Sequence, residues 1–101
     1  MSCTFAAERH AFQAESELCS FITREVMRRI AIKDRGIKQA GFFVLRGTQM
    51  PAVLVECAFL NNAKEEAMLN TGRFQKQMCD AIFSGVGAYD RRLAAAVKEP
   101  E

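Results

Sequence analysis

The chain has 101 residues, which is enough for one small domain or for part of a larger one. Half of the residues are hydrophobic and 26% are charged, as in an ordinary soluble globular domain. The net charge of +2 is too small and too evenly spread to indicate a nucleic-acid partner, and no apolar stretch approaches the roughly 20 residues that span a bilayer.

The first 13 residues show no clear period, so we expect an irregular N-terminal segment over 1–13. This segment has neither the basic start nor the long apolar stretch of a signal peptide. It contains the only histidine, His10. One histidine cannot by itself assemble a catalytic zinc site, which typically takes three protein ligands.

An amphipathic helix is predicted from about Ala14 to Ile32, covering one side of a sheet. Its apolar residues recur at helical spacing, at Leu18, Cys19, Ile22, Val26 and Ile30. A basic cluster lies along and just after the same helix. We interpret it as a solvated face rather than a polyanion site: Arg24, Arg28, Arg29 and Lys33. Gly36, just beyond this basic last turn, favours a helix end.

Two apolar runs predict strands. The first is Phe42–Leu45, and the second begins at Pro51 and continues to Leu60. Only a few residues separate the two runs, whereas a parallel crossover needs a dozen or more. The two strands, if paired, are therefore expected to be antiparallel.

Glu56 is the only acidic residue inside the second run. A carboxylate in such a strand costs free energy unless it is paired, bound to metal or protonated. It also lies at the carboxyl end of the strand, where open α/β sheets bind their ligands. Glu56 is therefore the main candidate site residue, and the alternative is a carboxylate that simply meets solvent or a helix N-terminus.

Two further helices are predicted after this strand. Asn62 is a cap for a short helix that ends near Leu69, with an acidic residue three positions after the cap. Thr71 is a cap for a longer helix whose apolar stripe favours core packing over a ligand groove: Phe74, Met78, Ile82, Val86, Tyr89 and Leu93. Two glycines weaken this helix, so we expect it to end near Tyr89 and to be followed by a frayed tail over 91–101.

Four cysteines, at 3, 19, 57 and 79, form no Cys-x-x-Cys pair, so neither a zinc ribbon nor a redox dithiol is indicated. We expect Cys19, Cys57 and Cys79 to be small core residues rather than members of a disulfide framework. Two nearly wholly apolar strands and about three helices describe an α/β sheet that needs further strands. The chain is therefore expected to be part of a larger domain.

Three strings resemble the zinc-dependent N-acetylmuramoyl-L-alanine amidases: Asp34-Arg-Gly-Ile-Lys-Gln-Ala-Gly-Phe-Phe-Val-Leu-Arg46, Met50-Pro-Ala-Val-Leu-Val-Glu56 and Phe59-Leu-Asn-Asn62. They occur in the family's order and at close spacing, and the likeness runs from about Glu15 to Tyr89. The resemblance implies that residues 14–90 are the C-terminal half of a catalytic domain. The implied fold is a mixed-sheet, zinc-exopeptidase-like α/β domain.

Members of that family cleave the amide between N-acetylmuramic acid and the L-alanine of the peptidoglycan stem peptide. The resemblance implies a zinc cofactor, and it places Glu56 where the family has the carboxylate that faces the metal-bound water. The family's first-strand histidine and ligand glutamate have no counterpart here. His10 is a weak ligand candidate, and an exposed polar residue is the better interpretation. The implied location is the bacterial cell envelope, with peptidoglycan as the partner.

Other positions carry weaker expectations. Arg46, with its neighbours Thr48 and Gln49, is a candidate for substrate contact, and a plain surface charge explains Arg46 equally well. Asn62 is a candidate for ordering the loop after Glu56, although helix capping explains it without substrate. Ala58 stands where the family usually has glycine, which would strain the loop if that position needs a positive φ.

The leading expectation is a peptidoglycan amidase half that carries the general base and acid, Glu56, but lacks most metal ligands and is inactive alone. One alternative is a non-catalytic cell-wall-binding or regulatory remnant of the same fold. Another is a structural half that complements a separately encoded, zinc-bearing N-terminal half.

Overall fold

A computed structural model describes residues 1–6, 12–40 and 50–98. In chain order the elements are β1 (Ser2–Ala6), α1 (Phe12–Arg29), β2 (Ile37–Ala40), β3 (Val53–Glu56), α2 (Ala63–Leu69) and α3 (Gly72–Lys98). The strands form one sheet in the order β2-β1-β3, in which β1 is parallel to β2 and antiparallel to β3. The predicted mixed α/β class is confirmed, with three strands among the described residues instead of the expected two.

The strand β1 corrects the expectation of an irregular segment over 1–13. Ser2, Cys3, Thr4 and Phe5 alternate polar and apolar side chains, which is the period of a strand, and all five residues of β1 are buried. They are buried because β1 is the middle strand, with a neighbour on each side. The alternation is too short to be recognised without those neighbours, which lie more than 30 residues away along the chain.

One face of the sheet packs against α1. Cys3 is opposite Val55 and Phe5 is opposite Val53, and these side chains cluster with Cys19 of α1. The predicted strand at Phe42–Leu45 and its expected antiparallel pairing lie outside the described residues. The described strand β2 comes immediately before that run.

The predicted first helix is confirmed as α1. Its apolar stripe contributes Ile22 and Val26 to a core that also contains Phe74, Met78 and Ala81 of α3. The two helices therefore lie side by side, and α1 packs against the sheet. No helix in the described ranges is long and apolar enough to cross a membrane.

The last helix extends further than the sequence predicts. The sequence predicts a helix end near Tyr89, followed by a frayed tail over 91–101. Instead α3 continues to Lys98, so this prediction is wrong up to that residue. Gly85 does not end the helix. It lies where α3 packs closely against α1, and a Cβ there would lie 2.6 Å from the Cα of Ile22. The segment after Tyr89 contains three consecutive alanines, which are the best helix formers, so it stays helical although it is exposed.

The cysteines also differ from expectation. Cys3 and Cys19 are joined by a disulfide, so the expectation that Cys19 is an unlinked core residue is wrong. Cys57 is half-buried and packs against the core, as expected. Cys79 is exposed, contrary to expectation, because it lies on a face of α3 that no described element covers.

Candidate functional site

Glu56 is the last residue of β3 and is half-buried. It lies directly opposite Ser2 in the antiparallel pair, and the Ser2 hydroxyl donates a hydrogen bond to its Oε2 over 3.2 Å. Ser2 is wholly buried on the middle strand. One oxygen of the candidate carboxylate is therefore held by the sheet itself.

The topology brings the end of β3 to the same sheet edge as the beginnings of β1 and β2. At this edge the Arg35 N–H donates to the Met1 carbonyl over 2.8 Å, and the Cys3 N–H donates to the Gly36 carbonyl over 3.2 Å. Gly36 has a φ of +93°, a left-handed conformation that favours glycine, as the chain turns into β2. Arg35 is thereby fixed near the edge at which Glu56 lies.

The loop that follows Glu56 is held by an ion pair. Arg35 binds Glu65 with both arms of its guanidinium, Nη1 to Oε1 over 3.0 Å and Nη2 to Oε2 over 2.7 Å. Glu65 Oε1 also accepts the Phe59 N–H over 3.0 Å, and the Arg35 guanidinium lies 4.2 Å from the centre of the Phe59 ring. We call Arg35, Phe59 and Glu65 the loop clamp, because together they fix the backbone three residues after Glu56.

Asn62 connects the same loop to α2. Its Oδ1 accepts the Glu65 N–H over 3.0 Å, and its own N–H donates to the Phe59 carbonyl over 3.2 Å. The predicted helix cap is confirmed. The side chain is exposed, and a substrate contact by Asn62 stays a prediction.

The clamp is strongly ionised. Its hydrogen bonds from Arg35 and from the Phe59 N–H lower the pKa of Glu65 from 4.5 to about 2. The same pairing raises the pKa of Arg35. Both partners are therefore charged throughout the neutral range, and the interaction has the bidentate geometry that is strongest for arginine and carboxylate.

Cys57 and Ala58, the two residues between Glu56 and the clamp, show neither an activated thiol nor a strained backbone. Burial raises the pKa of the Cys57 thiol, and the nearby Cys79 thiol adds to the shift, so Cys57 is a poor nucleophile at neutral pH. No described residue other than glycine has a positive φ. Ala58 therefore adopts an ordinary backbone conformation, and replacing the family's usual glycine does not strain the loop.

The remaining candidates from the sequence, His10, Arg46, Thr48 and Gln49, lie outside the described residues, and their roles stay predictions. Within 1–6, 12–40 and 50–98 there is no group of three or more His, Cys, Asp or Glu side chains that could hold a metal ion. The described part of the chain therefore does not form a zinc site by itself.

Sequence reasoning missed several polar residues that shape this site. It treated Glu65 only as a capping partner and gave Arg35 no role of its own. It also gave no role to Glu15, which is wholly buried and whose Oε1 accepts the Ala52 N–H over 3.1 Å. That bond fixes the chain just before β3, at the opposite end from Glu56. The only local sign of this buried role is that Glu15 is an acidic residue beside an apolar helical stripe.

A shallow cavity of about 240 Å³ lies beside the loop clamp. Its lining includes Lys33, Arg35, Asn62, Lys64 and Glu65. Glu56 does not line it. The strand-end carboxylate is therefore not part of this cavity.

The fold and the site define a mixed α/β domain with a fixed carboxylate at the carboxyl end of a strand. The family described as N-acetylmuramoyl-L-alanine amidase matches residues 2–88. The chain belongs to this family and covers the C-terminal portion of its domain. The resemblance seen in the sequence is confirmed.

Individual relatives agree. The chain is 36% identical over 72 residues to the N-acetylmuramoyl-L-alanine amidase AmiA of Escherichia coli, covering 71% of this chain and 25% of that protein. The solved structure of an N-acetylmuramoyl-L-alanine amidase from Clostridium difficile 630 superposes with a TM-score of 0.81 at 30% identity. The catalytic domain of CwlV from Bacillus (Paenibacillus) polymyxa does so with a TM-score of 0.74 at 34% identity.

Each of the two structural matches covers 87% of this chain and 46% of the solved chain. The chain thus spans less than half the length of these amidases.

Proposed function

We propose that this chain contributes to a catalytic domain that hydrolyses the amide between N-acetylmuramic acid and L-alanine in peptidoglycan, with Glu56 as its general base and acid. The observation that carries the proposal is the placement of Glu56. Its carboxylate lies at the carboxyl end of β3, half-buried, with one oxygen bonded to Ser2. The chain's membership of an amidase family supports amide hydrolysis as the reaction.

The chemistry suits a held carboxylate. An amide is a poor electrophile and neutral water is a poor nucleophile, so a base that takes the proton of the attacking water lowers the barrier. The same proton must then reach the leaving amine. A positioned carboxylate that does both typically contributes about 10²–10⁴-fold. Because Ser2 engages Oε2, we assign the proton transfer to Oε1 of Glu56.

Zinc is the cofactor that membership of this family suggests for the complete domain. The described residues do not supply a ligand set, so the ion would be held by residues beyond them. We therefore propose that the described part of the chain neither retains zinc tightly nor hydrolyses peptidoglycan by itself. The remaining half of the catalytic domain is then the partner that this chain requires.

The proposed substrate also suggests where the protein acts. Peptidoglycan lies in the bacterial cell envelope, and relatives of this chain are named as N-acetylmuramoyl-L-alanine amidases. We propose the cell envelope as the site of action.

The test is Glu56→Gln in the complete catalytic domain that contains this sequence, assayed by release of stem peptides from purified peptidoglycan. We expect at least a 100-fold loss of kcat with unchanged zinc content, because glutamine keeps the shape but cannot take a proton. Glu66→Gln is the matched control, since Glu66 is an exposed residue of α2. A Glu56→Gln domain that cleaves at the unmodified rate refutes the assignment. Binding to cell walls without cleavage by the unmodified domain favours the non-catalytic alternative.

A further inference from the structure

A disulfide joins the middle strand of the sheet to the helix that covers it. Cys3 on β1 and Cys19 on α1 are bonded, with their Cα atoms 5.5 Å apart, a separation that suits a disulfide. Both residues are wholly buried. The link is therefore an internal connection and not a surface bridge.

The position of this link matters for the candidate site. Cys3 has neighbours on both sides in the sheet, Ile37 of β2 and Val55 of β3. The residue before it, Ser2, donates the hydrogen bond to Glu56. The disulfide thus ties to α1 the strand whose Ser2 donates to the Glu56 carboxylate.

The other two cysteines provide an internal comparison. Cys57 is half-buried and Cys79 is exposed, and both are free thiols. The structure therefore selects one pair out of four cysteines, and it selects the pair that connects two different elements.

We propose that the Cys3–Cys19 disulfide makes the stable fold of this chain depend on an oxidising compartment. The bond forms by thiol–disulfide exchange with an oxidant of the protein disulfide class. The two cysteine thiols lose two electrons and two protons, and the oxidant disulfide is reduced to a dithiol. Because both sulfurs are buried in the folded chain, this exchange takes place before β1 packs against α1. Cytosolic thiols are normally kept reduced, so the bond forms after export.

The energetic consequence follows from the chain length between the two cysteines. Their sequence separation is 16 residues, and a cross-link of that span restricts the unfolded chain far more than the folded one. For a domain of this size, losing such a link lowers Tm by roughly 10–20 °C. Burial of both sulfurs also shields the formed bond from reductants until the chain opens.

The first experiment counts thiols in the full chain, produced in a bacterium with and without a secretory leader and alkylated under denaturing conditions at lysis. We expect two alkylated cysteines, Cys57 and Cys79, in the exported chain and four in the cytosolic chain. Peptide mapping of the exported chain should show Cys3 linked to Cys19. Four reactive thiols in the exported chain, or two in the cytosolic chain, would overturn the proposal.

The second experiment compares the Tm of the oxidised chain with that of the same chain reduced in denaturant and refolded in the presence of a reductant. We expect the oxidised chain to lose roughly 10–20 °C on reduction. The double variant Cys57→Ala/Cys79→Ala, as the matched control, should keep this shift. The double variant Cys3→Ala/Cys19→Ala should have the Tm of the reduced chain, and the reductant should not change that Tm. If that variant does not fold, the unmodified chain still decides, since an unchanged Tm on reduction contradicts the proposal. Neither experiment depends on amidase activity.

Discussion

Arg35 and Glu65 are 30 residues apart in the sequence and form a two-point ion pair, with nitrogen–oxygen distances of 3.0 and 2.7 Å. Both side chains are largely shielded, with exposed fractions of 17% and 8%. The pair connects the entry to β2 with α2, and through the Phe59 N–H it fixes the loop that leaves Glu56. An ion pair of the scaffold thereby determines the course of the chain beside the candidate catalytic group.

Glu65→Gln should destabilise the chain, because it removes the charge that Arg35 needs while leaving the guanidinium shielded from water. We expect Tm to fall by roughly 5–10 °C, measured by circular dichroism. Hydrogen exchange at the Phe59 amide should also become faster, since that amide donates to Glu65. Glu66→Gln, on the exposed side of the same helix, is the control and should change neither quantity. Unchanged Phe59 exchange in Glu65→Gln would show that the clamp does not hold the loop.

The same pair predicts how stability depends on pH. The pKa of Glu65 falls from 4.5 to about 2 on folding, so the stability it contributes is fully present above pH 4.5. That contribution is lost as the pH falls from 4.5 towards 2, because the unfolded chain then binds a proton that the folded chain does not. Urea titrations between pH 2 and 6 should show this loss in the unmodified chain. Glu65→Gln should lack this part of the acid dependence, whereas Glu66→Gln should retain it. Equal slopes in all three chains would contradict the assignment.

Much of the fold could be predicted, because local patterns determine it. The apolar stripe of α1, the Asn62 cap of α2 and the strand ending at Glu56 all depend on residues close together in the sequence. The strand β1 could not be predicted, because its five residues become a strand only between partners that start at Ile37 and Val53.

The candidate site divides in the same way. The position of Glu56 at a strand end follows from its own segment. Its hydrogen-bond partner Ser2 lies 54 residues away, and the clamp partners lie 30 residues apart. Such pairings depend on how the elements pack, and spacing along the sequence does not encode them. The disulfide escaped prediction for this reason too, since its cysteines lie on a strand and a helix.

Gly85 and Gly87 of α3 should respond oppositely to alanine. A Cβ at Gly85 would lie 2.6 Å from the Ile22 Cα and 2.9 Å from its nitrogen, atoms of the α1 backbone that cannot move alone. Gly85→Ala should therefore cost about 1–3 kcal/mol by forcing the helices apart. At Gly87 the nearest atom is Nη1 of the flexible Arg91 side chain, at 3.4 Å. Gly87→Ala should instead stabilise the chain by up to about 1 kcal/mol through helix propensity. Chemical denaturation measures both, and a stabilising Gly85→Ala would show that α1 and α3 do not approach this closely.

Ser2→Ala tests whether the sheet positions the carboxylate. The variant deletes the hydroxyl that donates to Glu56 Oε2 and leaves the backbone pairing of β1 with β3 intact. In the complete domain we expect kcat to fall by about tenfold with little change in KM, because substrate binding does not use this bond while proton transfer does. Ser20→Ala is the control, since the Ser20 hydroxyl is exposed and bonds to the Ser16 carbonyl of its own helix. A Ser2→Ala domain with an unchanged kcat would mean that Glu56 is held without this hydroxyl. An equal loss in Ser20→Ala would point to general destabilisation instead.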